Sequence, residues 1–133
     1  MTLYVVTGPP CAGKSTWVRQ RAKIGDIVVD LDRIALALTA ESCEHHAYPN
    51  HVRMAAMQVR KSAVAVAMAH ARRGQSYIIH AKPPKTARAA YKRMGAIWVN
   101  LTAPMPILME RAMRERPPHV WRILETWYED AQE

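Results

Sequence analysis

Leu3-Tyr4-Val5-Val6-Thr7-Gly8-Pro9-Pro10-Cys11-Ala12-Gly13-Lys14-Ser15-Thr16 stands almost at the start of the chain. Leu3 to Thr7 alternates little in hydropathy, which predicts a strand buried on both faces of a parallel sheet. Gly8 to Ser15 then fits G-x-x-x-x-G-K-[ST] without a mismatch. In such a loop the main-chain N–H groups point inward around phosphates, and the helix that follows adds its positive end. Gly13 lets the backbone approach a phosphate closely. Lys14 reaches the β- and γ-phosphates, and the Ser15 hydroxyl ligates Mg²⁺. Gly8, Pro9, Pro10, Cys11, Ala12, Gly13, Lys14, Ser15 and Thr16 are therefore expected to hold ATP or GTP. A chance Gly-rich turn is the competing reading, and the flanking strand and helix argue against it.

The remaining elements alternate in the same way. Lys14 to about Lys23 reads as a helix, Ile27 to Leu31 as a second buried strand, and Asp32 to Leu38 as a helix. Residues 42 to 50 read as a loop. His51 to Arg73 is a long Ala/Val/Met-rich helix in which Val52, Ala56, Val59, Ala63 and Val66 recur at helical spacing, with Met54, Met57 and Met68 expected in the core. Tyr77 to His80 and Ala96 to Leu101 are strands on either side of a helix from Lys85 to Met94. Pro104 and Pro106 lead into a helix through Arg114, and a last helix runs from about His119 to Asp130. Strands alternating with helices predict an α/β sandwich with a parallel sheet of about four to five strands.

The chain of 133 residues is expected to be a single domain, 1–133. Half of it is hydrophobic, enough for a sizeable core, yet no apolar run approaches the ~20 residues of a membrane span. The apolar start lacks a basic leader and reads as a strand, not a signal peptide. Two cysteines, Cys11 and Cys43, give no disulfide framework and fit a reducing cytoplasm. A formal charge of +8 favours polyanionic partners, DNA or RNA above a membrane surface.

Val28-Val29-Asp30-Leu31-Asp32-Arg33 puts two carboxylates and a guanidinium at the C-terminal end of the second strand, the edge at which open α/β sheets bind ligands. One carboxylate would take the proton of an acceptor hydroxyl while the other supports Mg²⁺. Asp32, farther toward the acceptor side, is read as the base and Asp30 as the group that holds metal-bound water; the reverse is open. The structural alternative makes Asp32 a helix N-cap and Asp30 a loop charge. Arg111, Arg114 and Arg116 suit a lid that closes over ATP and stabilises the transferring phosphoryl group, against the alternative of a solvated basic face paired with Glu110 and Glu115. Arg111 and Arg114, three apart, are expected to share a face.

Several residues are read as structural. Glu44, His45, His46 and His51 match no metal-ligand spacing. Cys11 reads as a loop filler whose position near a helix N-terminus could lower its pKa. Trp17, Trp98, Trp121 and Trp127 are packing anchors, any of which could stack on a base. Arg53, Arg60, Lys61, Arg72, Arg73, Lys82 and Lys85 could line a polynucleotide groove or simply be solvated.

Taken in order, these stretches resemble the kinase domain of phage-type polynucleotide 5′-kinase and, more broadly, the small P-loop kinases of the AAA and adenylate-kinase-like group. Lys14-Ser15-Thr16-Trp17, the acid pair with Arg33, the strand at Ile78-Ile79, the helix ending at Met94-Gly95, the Arg-rich segment and Trp127-Tyr128 carry the resemblance. It implies a three-layer P-loop NTPase sandwich with a short helical Arg lid at about 108–119, in the cytoplasm of a bacterium or of a phage-infected cell. It also implies roles for Lys14 and Ser15 with ATP and Mg²⁺, for Asp32 or Asp30 with the acceptor hydroxyl, for Arg33 with the acceptor phosphate, and for Arg111, Arg114 or Arg116 with the donor. The chain departs from the pattern at His80, where the family has an Asp, and in having Arg33 directly after Asp32.

The expected activity is ATP-dependent phosphoryl transfer to a nucleic-acid hydroxyl, either a polynucleotide 5′-OH or a hydroxylated base. The rivals are a small-molecule kinase, and an ATPase module without an acceptor.

Overall fold

The computed structural model describes residues 1–40 and 48–130, with the last three of these as backbone only. Glu44, His45 and His46, considered above for a metal, lie outside the described residues. Four strands, β1 (Thr2–Thr7), β2 (Ile27–Val29), β3 (Gln75–Ile79) and β4 (Ile97–Asn100), form one parallel sheet in the order β2-β3-β1-β4. β1 is central. Val5 and Val6 point to opposite faces and are both fully buried, as the unbroken apolar run of β1 predicted. Fully burying each such side chain contributes about 1.5–3 kcal/mol.

Two clusters cover the sheet. On one face Leu3, Val5, Val29 and Ile78 meet Ala67 and Ala71 of the α3 segment, with helix α3 spanning Asn50–His70, and Tyr91 of α4 (Lys85–Arg93). On the other, Val6, Tyr77 and Ile79 meet Val18 of α1 (Lys14–Arg19), with Trp17 at the margin. Helix, sheet and helix are the three layers. α2 (Leu31–Ala37) packs on α3. A third cluster, Leu108, Ala112 and Leu124, joins α5 (Met105–Glu115) to α6 (Pro118–Asp130) and rests on Cys11 and Ala12 of the Gly-rich loop. The stretch 108–119 thus covers the last turns of α5, the bend at Arg116-Pro117 and the first turn of α6.

The long helix is turned relative to expectation. Ala56 and Ala67 are its fully buried residues, whereas Val59, Val66 and Met54 are 44, 57 and 54% exposed. Alanines lie on several sides of α3, so apolar spacing alone does not choose the face. The sheet takes the face that carries Ala63, Val64, Ala67 and Met68, and Val59, Val66 and Met54 go to solvent. Among the described residues no helix is long and apolar enough to cross a membrane.

In this strand order the chain leaves β1 toward one edge through β2 and β3 and then crosses to the other edge at β4. The crevice beyond the C-terminal ends of β1 and β3 is the switch point, where open α/β sheets take ligands. The loop after β1 lies there.

Candidate active site

The loop geometry follows from its glycines. Gly8 has φ +138° and a Cβ built on it would lie 2.1 Å from the Leu101 carbonyl oxygen, so only glycine fits between β1 and the end of β4. Gly13, at φ +92°, is the residue before α1, and Cys11 adopts φ +66°. Successive left-handed residues of this kind turn main-chain N–H groups toward a common concavity, an anion nest. Gly13 supplies no capping side chain, so the first-turn donors of α1 have no such partner.

Lys14 folds back over the loop. Its Nζ donates to the carbonyl oxygens of Gly8 (2.8 Å) and Pro9 (2.7 Å). Burial lowers its pKa to about 8, with nearby Arg116 adding to the effect and Asp30 and Asp32 opposing it. Burial likewise raises the Cys11 thiol, against the expectation that a helix N-terminus would lower it. Cys11 is half-buried beneath the α5–α6 pair, and desolvation of a thiolate outweighs the neighbouring cations.

Ser15 and the acid pair meet across the mouth of the loop. Ser15 Oγ donates to Asp30 Oδ2 at 3.0 Å, and Asp30 Oδ1 accepts the Asp32 N–H at 3.1 Å. Asp30 is therefore the N-cap of α2, two residues earlier than the capping alternative had it, and it is buried. Asp32 lies one turn-start farther out, and its Oδ1 accepts the Tyr48 hydroxyl. Burial and the neighbouring Asp32 push the Tyr48 phenol well above its ordinary range, so it remains a donor. Two hard oxygens held 3.0 Å apart suit Mg²⁺, which takes one or two protein oxygens and completes its shell with phosphates and water.

These groups line one open cleft of about 1240 Å³. It takes in Pro10 to Thr16, Asp30, Asp32, Arg111 and Arg116. Arg111 Nη1 donates to the Cys11 carbonyl at 3.0 Å and so braces the loop from behind. Arg116 is half-buried in the wall and 3.8 Å from the exposed carboxylate of Glu115.

Two expected residues do not join them. Arg33 is exposed and outside the cleft wall, because α2 begins at Leu31 and consecutive helical residues diverge by about 100°. Asp32 takes the cleft side. Arg114 is also exposed and outside the wall. Leu108 and Ala112 fix the inward face of α5, so Arg111, on the flank, lines the cleft while its i+3 neighbour Arg114 lies farther from it.

His80 is withdrawn as well. Its Nδ1 lies 3.0 Å from the Tyr91 hydroxyl, and burial, with Arg60 and Arg88, lowers its pKa to about 4. It is a neutral packing group. Trp17 packs with Tyr4 and Tyr77, and Arg21 lies 4.1 Å over its ring.

The cleft also holds residues that the motifs did not single out. Tyr48 precedes α3, Asn50 opens it and His119 comes from α6, as does Trp127, named above as a packing anchor. Tyr48 beside Pro49-Asn50 carries no chemical signature in sequence. Arg53 and Arg60, considered only as groove cations, stand two turns apart on α3 and line the Asp32 side. Burial lowers the pKa of Arg60, and Arg53 lowers it further.

The family model for an AAA domain matches residues 3–116. No curated protein matches the chain.

Proposed function

This chain belongs to the AAA domain family, a P-loop kinase-like group that includes polynucleotide-kinase-type kinase domains, and from that premise we propose that it is an ATP-dependent kinase acting on a nucleic-acid hydroxyl. The observation that carries the proposal is the division of labour between two neighbouring carboxylates. Asp30 is taken up by Ser15 and by the cap of α2, while Asp32 faces the same cleft on its outer side. A module that only binds ATP has no need of the second carboxylate, whereas a hydrolase would use it on water, and the acceptor panel below separates the two.

In this reading the triphosphate lies in the nest between Gly8 and Thr16. Lys14 exchanges the Gly8 and Pro9 carbonyls for phosphate oxygens. Ser15 and Asp30 hold Mg²⁺, which when bound neutralises charge on the β- and γ-phosphates. The acceptor hydroxyl attacks in line as its proton passes to the Asp32 carboxylate, and ADP leaves. Tyr48 keeps Asp32 oriented. Arg116 stabilises charge on the transferring group, and Arg111 supports the loop carbonyl that frames it. Arg53 and Arg60, in place of Arg33, supply positive charge on the acceptor side. The net charge of +8 supports a polyanionic acceptor.

The test is a panel of acceptors with γ-labelled ATP and Mg²⁺: 5′-OH DNA, 5′-OH RNA, base-hydroxylated DNA and free nucleosides. Label is expected on an oligonucleotide. Label on free nucleosides alone makes the protein a small-molecule kinase. Hydrolysis indifferent to every acceptor makes it an ATPase module.

A further inference from the structure

A second recess adjoins the cleft, and none of the motifs accounts for it. It has a volume of about 500 Å³ and lies beyond the C-terminal ends of β1 and β4, where Thr7 and Asn100 are joined by a side-chain hydrogen bond of 3.1 Å. Ala81 and Trp127 line both spaces, so the recess is continuous with the cleft.

Its wall is unusual in composition. Lys82, Arg88 and Lys92 contribute three cations, Trp98 and Trp127 two indoles, and no carboxylate lines it. Arg88 and Lys92 are one helical turn apart on α4, whose sequence Lys85-Thr86-Ala87-Arg88-Ala89-Ala90-Tyr91-Lys92-Arg93 has four cations and no acid. Like charges at that spacing repel, and an anion relieves the repulsion. The cations are also held against the rings. Lys82 Nζ is 5.6 Å from the centroid of Trp127, and the Arg88 guanidinium carbon is 5.8 Å from that of Trp98. Arg88 Nε donates to the Pro83 carbonyl at 3.1 Å, which fixes the guanidinium without consuming its Nη donors.

Cations along one side and aromatic faces on the other are the two components of a single-strand nucleic-acid groove: the charges follow the phosphates and the rings stack on bases without regard to sequence. A free mononucleotide would need only one cation and one ring, and a bare anion would need no ring. We propose that this recess binds the single strand that trails from the acceptor end, with Lys82, Arg88 and Lys92 on its phosphodiesters and Trp127 or Trp98 under a base. The strand continues out of the cleft past Trp127. This inference rests on the nucleic-acid reading above and gives it an address.

The test separates the two. Binding of labelled 5′-OH single strands of one, three and six nucleotides to the full chain is followed by fluorescence anisotropy without ATP, over a range of salt. ATP binding is measured on the same samples by calorimetry. Affinity is expected to rise with strand length. Lys82→Ala with Lys92→Ala, both at exposed positions, should lower the salt slope by about 1.4, from roughly 0.7 per single-strand phosphate contact. Trp127→Ala should weaken the hexamer by about five- to a hundred-and-fifty-fold, the range for one stacked base. Lys23→Ala, on the surface before β2, should leave binding unchanged. The recess is refuted if the double variant keeps the wild-type salt slope, if one nucleotide binds as tightly as six, or if no strand binds at low salt. Loss of the ATP signal in the wild type counts against the P-loop reading alone, because the strand data are collected without ATP.

Discussion

The two ends of the cleft are built from different materials. At the donor end the parts come from nine consecutive residues, Gly8 to Thr16, and the working surface is mostly main chain held by two left-handed turns and one glycine that admits no Cβ. At the acceptor end the parts come from α2, the residues just before α3, and α3 itself, and the working surface is side chain: Asp32, Tyr48, Arg53 and Arg60. The first end is set by local conformation and tolerates little change. The second is set by how helices pack, so its chemistry can drift while the fold stays the same. Substitutions at the donor end should therefore abolish activity, and those at the acceptor end should grade it.

The largest effect is expected at Lys14→Ala, which removes the ammonium folded over the Gly-rich loop. Transfer should fall about a thousandfold or below detection, and ATP affinity should drop with it. Full turnover by this variant, measured with labelled ATP, would break the comparison outright. Asp32→Asn should spare ATP binding and slow the chemical step by roughly a hundredfold or more in single-turnover kinetics. If Asp30→Asn alone has that signature, the two carboxylates exchange roles. Tyr48→Phe removes a donor to Asp32 and should cost about tenfold in kcat, the scale of one hydrogen bond to a charged group, with little change in ATP affinity.

A smaller effect is thermodynamic. Lys14 has its pKa lowered to about 8, so the unfolded chain holds that proton more tightly than the folded one. Below pH 8 the penalty is fully present, and it fades as pH rises from 8 toward the ordinary lysine value, so the free protein should gain stability over that window. Bound phosphates favour the ammonium form. At pH 8 ATP binding should take up about half a proton, read from calorimetry in buffers of different ionisation enthalpy. The smallest changes are expected at Arg33→Ala and Arg114→Ala, within about twofold in kcat/KM, since neither side chain lines the cleft. A large loss at either would mean that the helices turn when substrate binds.

The same contrast explains what could be read from the sequence. The Gly-rich loop and the strand pattern are local, and they led directly to the sheet, the layers and the donor end. Short apolar runs such as Val5-Val6 and Ile78-Ile79, bounded by turn residues, read as strands covered on both faces, and they are buried so. Side-chain direction on helices was harder. Position beside the acid pair suggests Arg33 and spacing suggests Arg114, but the rotation of α2 and α5 depends on Asp30 as a cap and on Leu108 and Ala112 as anchors. The alanine-rich α3 concealed its buried face for the same reason. Tyr48 reaches Asp32 across sixteen positions, and no periodicity encodes such a contact. His80 marks a departure from the acidic pattern, and its partner Tyr91 explains why a neutral ring is tolerated there.

The burial of the Lys14 amine has a practical consequence. An amine with a pKa near 8 is roughly one quarter unprotonated at pH 7.5, whereas a solvated lysine is almost entirely ammonium. Mild acylating reagents at low stoichiometry should therefore modify this side chain ahead of the surface lysines, and a bound triphosphate should shield it. Peptide mapping of such labelling would report nucleotide occupancy without any turnover.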